Sequence, residues 1–145
     1  AGETTLYLRI PEWTNDFAVF VNGDTVVFDS VKGYALVKVR DCDKVTVSMP
    51  MKVERKILNG KAEYERGPIV LARDERFGED LGLPVAVPKK EGGAVAKLVK
   101  NTDFYTNETI KIKTRNGEIT LCDYSSAGKN YDSENCNMSV WQNID

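Results

Sequence analysis

Short segments in which apolar and polar residues alternate, separated by turn residues, recur along most of the chain. The clearest are residues 5–10 and 45–49, where every second side chain is aliphatic or Met. Asn22-Gly23 and Asn116-Gly117 each lie between two such segments, and Asn-Gly is a strong hairpin signal because a type I′ turn needs positive φ at both central residues. No segment has the apolar period of an amphipathic helix. The pattern predicts an all-β fold, an antiparallel β-sandwich of the jelly-roll or immunoglobulin-like kind.

Residues 69–72, Ile-Val-Leu-Ala, form a short uninterrupted apolar run that follows Gly67-Pro68 and precedes charged residues. Such a run is typical of a strand covered on both faces. We therefore predict that the other strands pack around this one. We also expect Ile69, Val70 and Leu71 to be almost fully buried, with Val70 pointing away from the other two.

The length of 145 residues suits one domain, and we predict a single β-sandwich over residues 1–145. Residues 77–93 are rich in glycine, proline and charge, so the alternative is a first portion at 1–76, a linker at 77–93 and a second portion at 94–145. The net charge of -2 argues against a nucleic-acid partner, and no apolar run is long enough to span a membrane.

Histidine is absent, which removes the commonest general base and the commonest zinc ligand. Cys42, Cys122 and Cys136 form no C-x-x-C pair, so we expect three free, partly buried thiols and no zinc or redox site. Asp41, Asp43 and the acidic residues between 74 and 80 lack the spacing of a calcium loop. The sequence therefore predicts neither a metal site nor a cofactor.

Glu63 and Glu65 lie two residues apart on a predicted strand, so their side chains share a face. A carboxylate pair can hydrolyse glycosides. We favour an ordinary solvated strand face, because neither residue has apolar flanks that would raise its pKa. We predict no catalytic residue in this chain.

Aromatic residues in loops can stack on sugar rings, and the chain has several outside its clearest strand patterns. We predict Trp13, Tyr124 and Tyr131 as carbohydrate contacts. Trp141 lies in a strand pattern and is expected in the core.

Five short pieces together resemble a known family. They are Leu-Arg-Ile-Pro-Glu-Trp at 8–13, Val-Asn-Gly at 21–23, Gly-Tyr at 33–34, Met-Pro-Met at 49–51 and Arg-Gly-Pro-Ile-Val at 66–70. In this order and spacing they resemble the non-catalytic β-sandwich region at the C-terminal end of the β-L-arabinofuranosidase-like glycoside hydrolases, family 127 and its relatives. The resemblance is good over residues 5–74, and residues 138–141 look like that region's last strand.

The resemblance implies a larger bacterial parent protein, periplasmic or secreted, that acts on arabinose-containing or related glycans. In that family a helical barrel precedes the sandwiches and holds a cysteine nucleophile, a glutamate and a cysteine-bound zinc. None of the three cysteines here matches those positions, so the resemblance implies an inactive domain that packs against the barrel. The alternatives are an independent carbohydrate-binding module and an immunoglobulin-like protein-interaction domain.

Overall fold

A computed structural model describes residues 2–128 and 137–145. Over these residues the chain forms antiparallel strands, one short 3-10 helix and no α-helix, which confirms the predicted all-β class. In chain order the elements are β1 (Glu3–Arg9), β2 (Ala18–Val21), β3 (Asp24–Val26), β4 (Asp29–Val31), β5 (Tyr34–Arg40), β6 (Val45–Ser48), β7 (Val53–Leu58), β8 (Lys61–Arg66), β9 (Ile69–Asp74), the 3-10 helix (Glu75–Phe77), β10 (Gly92–Gly93), β11 (Ala96–Val99), β12 (Thr109–Thr114), β13 (Gly117–Asp123), β14 (Met138–Ser139) and β15 (Gln142–Asn143).

The chain divides into two compact units, residues 1–51 and residues 52–145. The boundary follows Met51, so the segment 77–93 that we considered as a linker lies inside the second unit. The assignment of residues 1–145 to a single domain stays a prediction.

The first unit contains two three-stranded antiparallel sheets, in the orders β1-β5-β4 and β3-β2-β6. Alternate side chains of both sheets enter one core, as the period of two requires. Its buried members are Val19, Ala35, Val37 and Val39, and partly buried apolar residues such as Leu6, Leu8 and Phe17 pack against them. The unit is therefore a small sandwich with few fully enclosed side chains.

Both predicted hairpins form, but only the first has its turn at the predicted Asn-Gly pair. Asn22 and Gly23 have φ values of 56° and 95° between β2 and β3, the left-handed region that Asn and Gly tolerate best. The hairpin of β12 and β13 also forms, with Arg115 and Asn116 as the connecting residues and Gly117 opening β13 at φ 134°.

The second unit is built on one large antiparallel sheet with the main order β10-β7-β8-β9-β13-β12-β11. The predicted central strand, β9, lies between β8 and β13, which confirms its central position in the second unit, while the strands of the first unit form two sheets of their own. The prediction that three consecutive residues are almost fully buried is wrong for two of them. Leu71 is fully buried, but Ile69 and Val70 are half-buried, because they begin the strand and border a surface cavity.

Leu71 belongs to the main core of the second unit. This core takes side chains from β7, β8, β9, β12 and β13, and its buried members are Val53, Ala62, Tyr64, Leu71, Val85, Val87, Ile110, Ile112, Ile119 and Leu121. The next residue, Ala72, points to the other face and packs with Cys122 and Ala127. Strand β9 is therefore covered on both faces from Leu71 onward.

The irregular segment 77–93 is not an exposed linker. Its residues Val85, Ala86 and Val87 are buried. The buried guanidinium of Arg73 donates to the Asp80 carbonyl at 3.0 Å and to a Glu79 carboxylate oxygen at 3.1 Å. A charged side chain of β9 thus fixes the loop that follows it.

The C-terminal residues form two short strands instead of the one expected at 138–141. Strand β14 pairs with β9, and β15 pairs with β8. Trp141 lies between them and is half-buried, whereas the neighbouring Gln142 is buried, so the prediction of Trp141 as a core residue is wrong. No helix among the described residues is long and apolar enough to cross a membrane.

Candidate functional site

The first candidate site is a cleft of about 340 Å³ at the end of β1, here called the Trp13 cleft. Pro11 ends β1 because it has no N–H for the sheet. The chain then turns, and the Thr14 N–H donates to the Pro11 carbonyl at 3.3 Å. The Thr14 hydroxyl anchors this turn by donating to the Pro50 carbonyl at 3.4 Å. The cleft is lined by Arg9, Pro11, Glu12 and Trp13.

Trp13 is half-buried, while Arg9 and Glu12 are exposed. Within the described part of the chain, neither the Arg9 guanidinium nor the Glu12 carboxylate has a hydrogen-bond or ion-pair partner. The Trp13 cleft therefore combines an aromatic side chain with one free donor group and one free acceptor group.

The second candidate site is a cavity of about 520 Å³ in the second unit, here called the Tyr124 cavity. It lies between the start of β9 and the end of β13. Tyr124 is 52% exposed, and its backbone N–H donates to the Val70 carbonyl at 2.9 Å. The cavity has an apolar side, Pro68, Ile69 and Val70, and a polar side, Asn107, Glu108, Asp123 and Ser125.

Asp123 is the centre of the polar side of this cavity. One carboxylate oxygen accepts the backbone N–H groups of Asn107 and Glu108, both at 3.0 Å. The other accepts the hydroxyls of Ser125 at 2.6 Å and Ser126 at 2.8 Å, and the Asn107 amide at 2.9 Å. Burial alone would raise the pKa of Asp123, but these hydrogen bonds outweigh it and lower the pKa to about 2.

Of the predicted carbohydrate contacts, Trp13 lies in the first unit and Tyr124 in the second, each in its own cavity. Tyr131 lies outside the described residues. The structure tests none of the three as a glycan contact, so they stay predictions. The sequence alone did not predict Arg9 and Glu12 as lining residues of the Trp13 cleft. Their position beside Trp13, where Pro11 ends a strand, could have indicated them.

Glu63 was expected on a solvated face, and that expectation is wrong. Glu63 is 9% exposed, and its pKa is raised by burial and by the neighbouring Glu65 carboxyl group. Glu65 also forms an ion pair with Lys56 at 2.7 Å. Glu63 is enclosed by the sheet and Glu65 is ion-paired with Lys56, so neither carboxyl group is free to act on a glycosidic bond. The pair is therefore structural.

The acidic residues near the end of β9 are used in hydrogen bonds and ion pairs. Burial opposes ionisation of Asp74, but hydrogen bonds from Arg76 and from the Gly128 N–H outweigh it and lower its pKa. The Arg76–Asp74 contact is 2.6 Å. Glu79 pairs with Arg73 and accepts the Thr120 N–H at 2.6 Å. The described residues contain no group of three or more acidic, His or Cys side chains able to hold a metal.

Cys122 is a buried free thiol on β13. Burial, followed by the negative charges of Asp74 and Asp123, raises its pKa to about 12. A thiol with that pKa is a poor nucleophile at neutral pH. Cys42 is a free thiol that is exposed, not partly buried as expected, and Cys136 lies outside the described residues.

Comparison with known proteins connects this architecture to one enzyme family. Residues 1–51 match the family model described as the β-L-arabinofuranosidase GH127 middle domain. The first unit is a match to the GH127 middle domain. The match covers the same residues as the first compact unit and confirms the resemblance inferred from the sequence.

Solved structures extend the likeness from the first unit to the whole fold. A GH127 β-arabinofuranosidase is 23% identical with a TM-score of 0.73, and the alignment covers 99% of this chain and 28% of that one. A GH127 β-L-arabinofuranosidase from Geobacillus stearothermophilus T6 is 24% identical with a TM-score of 0.66, covering 99% and 27%. A third structure, a glycoside hydrolase, is 21% identical with a TM-score of 0.65, covering 99% and 28%.

At these identities the structures establish a shared fold. The chain spans little more than a quarter of the length of these structures. A search of curated proteins found no match.

Proposed function

We propose that this chain is a non-catalytic accessory region of a larger GH127-type glycoside hydrolase, and that it packs against the catalytic domain of its parent. The observation that carries this proposal is the coincidence of the GH127 middle-domain match with the first compact unit. The chain aligns with 28% of a β-arabinofuranosidase, so most of such an enzyme lies in other segments of its polypeptide.

The chemistry of the described side chains supports an accessory role. The buried Cys122 thiol has a raised pKa, while Glu63 is buried in the sheet and Glu65 is paired with Lys56. The Asp123 carboxylate is bonded to five donors of its own loops, which suits a structural anchor better than a general base.

The proposed parent acts on arabinose-containing or related glycans, because two of the similar structures are β-arabinofuranosidases. We place this parent in the periplasm or outside the cell, where polymeric glycans that cannot cross a membrane would be met. The resembling family carries its catalytic cysteine, glutamate and zinc on a helical barrel, and that barrel is the proposed partner.

Two samples test the proposal. One is the 145-residue chain, and the other is the polypeptide encoded by the uninterrupted reading frame that contains it. With 4-nitrophenyl β-L-arabinofuranoside we expect turnover from the second sample only. Hydrogen exchange should also be slower for part of this region in the longer polypeptide than in the isolated chain, because packing excludes water. Turnover by the isolated chain, or identical exchange in both samples, would contradict the proposal.

A further inference from the structure

The Trp13 cleft and the Tyr124 cavity, both formed by described residues, each carry an aromatic side chain, and they differ in how their polar groups are bonded. In the Tyr124 cavity, the Asn107 amide group donates to Asp123 and Ser125, and its carbonyl accepts the Tyr105 hydroxyl. Asp123 accepts five hydrogen bonds. Asn107 and Asp123 already have protein partners, so a ligand would have to break existing bonds to use them. Glu108, on the same side, pairs with Arg66 through one carboxylate oxygen, and its other oxygen is buried and unpartnered among the described residues.

The Trp13 cleft has the opposite arrangement. The Arg9 guanidinium and the Glu12 carboxylate are exposed and have no partner in the described part of the chain. A ligand can therefore gain hydrogen bonds from both without breaking a bond within the protein. The turn that positions them is anchored by two hydrogen bonds of Thr14, so the cleft is already formed without a ligand.

The chemistry of the cleft selects the kind of ligand. The ring of Trp13 offers an apolar surface to the C–H face of a sugar, and a guanidinium and a carboxylate offer donors and acceptors to neighbouring hydroxyls. The two charges are opposite, so the cleft gives no net preference for an anion or a cation. A neutral sugar uses all three groups.

Two exposed tyrosines lie near Arg9 on the sheet next to the cleft. Arg9 on β1 is opposite Tyr34 on β5, and Tyr7 is two residues before Arg9 on the same face of the sheet. Tyr7 is 65% exposed and Tyr34 is 42% exposed. Residues two apart on a strand are separated by about 7 Å. Tyr7 and Tyr34 therefore place two exposed rings on the same face of the sheet as Arg9, which lines the cleft.

We propose that the Trp13 cleft, with the Tyr34 and Tyr7 rings beside it, binds a neutral oligosaccharide. Trp13 stacks on one sugar ring, Arg9 and Glu12 hydrogen-bond its hydroxyls, and the tyrosines contact the next sugars. This binding goes beyond the accessory role proposed above and does not depend on it, since the isolated chain contains every group involved.

The experiment is native affinity electrophoresis of the 145-residue chain in gels containing linear arabinan, arabinogalactan or polygalacturonate. We expect slower migration in at least one neutral gel and none in polygalacturonate. Arg9→Ala and Glu12→Ala should each weaken binding about tenfold or more, because each removes a hydrogen-bonding charged group. Both side chains are exposed, so both variants are expected to fold, which circular dichroism checks.

Matched controls lie in the second unit. Arg115→Ala and Glu118→Ala remove exposed charges of the same types, and Tyr124→Ala removes the aromatic group of the other cavity. All three should migrate like the unchanged chain. The proposal would be overturned if neither neutral gel slowed the chain or if only polygalacturonate did. It would also be overturned if Arg9→Ala and Glu12→Ala bound as tightly as the unchanged chain, or if Tyr124→Ala lost binding. None of these outcomes depends on hydrolysis by the parent.

Discussion

Replacing Leu71 by Ala tests whether the second unit is organised around β9. Leu71 is fully buried in the middle of the sheet and belongs to the main core, beside strands β8 and β13. Leu83 offers a matched control, because it belongs to the same unit and is 61% exposed. The two variants make the same chemical change in opposite environments.

The expected magnitudes follow from burial. Removing the branched end of a fully buried leucine loses about 2 kcal/mol of transfer free energy at roughly 0.8 kcal/mol per methylene. The cavity left behind adds to this, and measured Leu→Ala changes in cores cost about 2–5 kcal/mol. For Leu83, with 61% of its surface exposed, the transfer loss is about 1 kcal/mol and no enclosed cavity forms. We therefore expect Leu71→Ala to cost about 1–4 kcal/mol more than Leu83→Ala.

Urea titration followed by tryptophan fluorescence measures this difference. Trp13 belongs to the first unit and Trp141 to the second, so a Trp13→Phe background makes the signal report the second unit alone. A difference of about 2 kcal/mol moves the midpoint by roughly 1 M urea at a typical slope. Equal midpoints for the two variants, or a lower midpoint for Leu83→Ala, would show that β9 is not the strand on which the unit depends.

Three further predictions follow from the buried carboxyl groups and the proposed role. Because the pKa of Asp123 is lowered to about 2, its ionised form contributes about 2 kcal/mol above roughly pH 4, lost as the pH falls towards 2. Asp123→Asn should therefore be less stable at pH 7 with the difference narrowing in acid, and a pH-independent difference in urea midpoints would refute this. Because the pKa of Glu63 is raised, the folded chain favours the protonated form of this residue, and ionisation at pH 7 opposes folding. Glu63→Gln should therefore stabilise the chain at pH 7, and the gain should disappear below about pH 4.5, the pKa of Glu63 in the unfolded chain. Destabilisation by Glu63→Gln at pH 7 would contradict this. The purified chain should not hydrolyse aryl arabinosides, and turnover abolished by one substitution in it would reveal a missed active site.

The parts of the fold that could be predicted are those fixed by neighbouring residues. Asn22-Gly23 needs only its own backbone freedom to make a turn, and the hairpin formed where expected. Asn59-Gly60 makes the same kind of turn between β7 and β8, with φ values of 49° and 73°, so the same rule applied to this dipeptide would have found a further hairpin. Local turn chemistry is therefore a sufficient guide to these connections.

The parts that could not be predicted depend on distant residues. Glu63 looks solvated in the sequence because its neighbours are polar, but the sheet pairs it with Lys56 and encloses it. Val85 and Val87 look like loop residues, yet Arg73 holds their segment against the sheet through Glu79 and Asp80. Burial of this kind is set by the tertiary arrangement, which alternation along the sequence does not encode.

The candidate site residues also divide into features that neighbouring residues determine and features that distant residues determine. Trp13 was chosen by residue type and loop position, both visible in the sequence. The difference between its cleft and the Tyr124 cavity was not visible, because it depends on which polar groups are already bonded. Asn107 and Asp123 are 16 residues apart, and only the pairing of β12 with β13 brings them together.

The ends of the two central strands explain how the second unit supports its irregular segments. Arg73 and Asp74 end β9, Asp123 ends β13, and all three charged side chains are buried. Each binds a different loop: Arg73 holds the segment around Asp80, Asp74 holds Gly128, and Asp123 holds Asn107. Removing one partner of such a buried group costs more than the bond itself is worth, since the other partner stays desolvated. These residues therefore fix loop positions that apolar packing alone would leave undetermined, and the bonded state of Asn107 and Asp123 in the Tyr124 cavity is a consequence of that role.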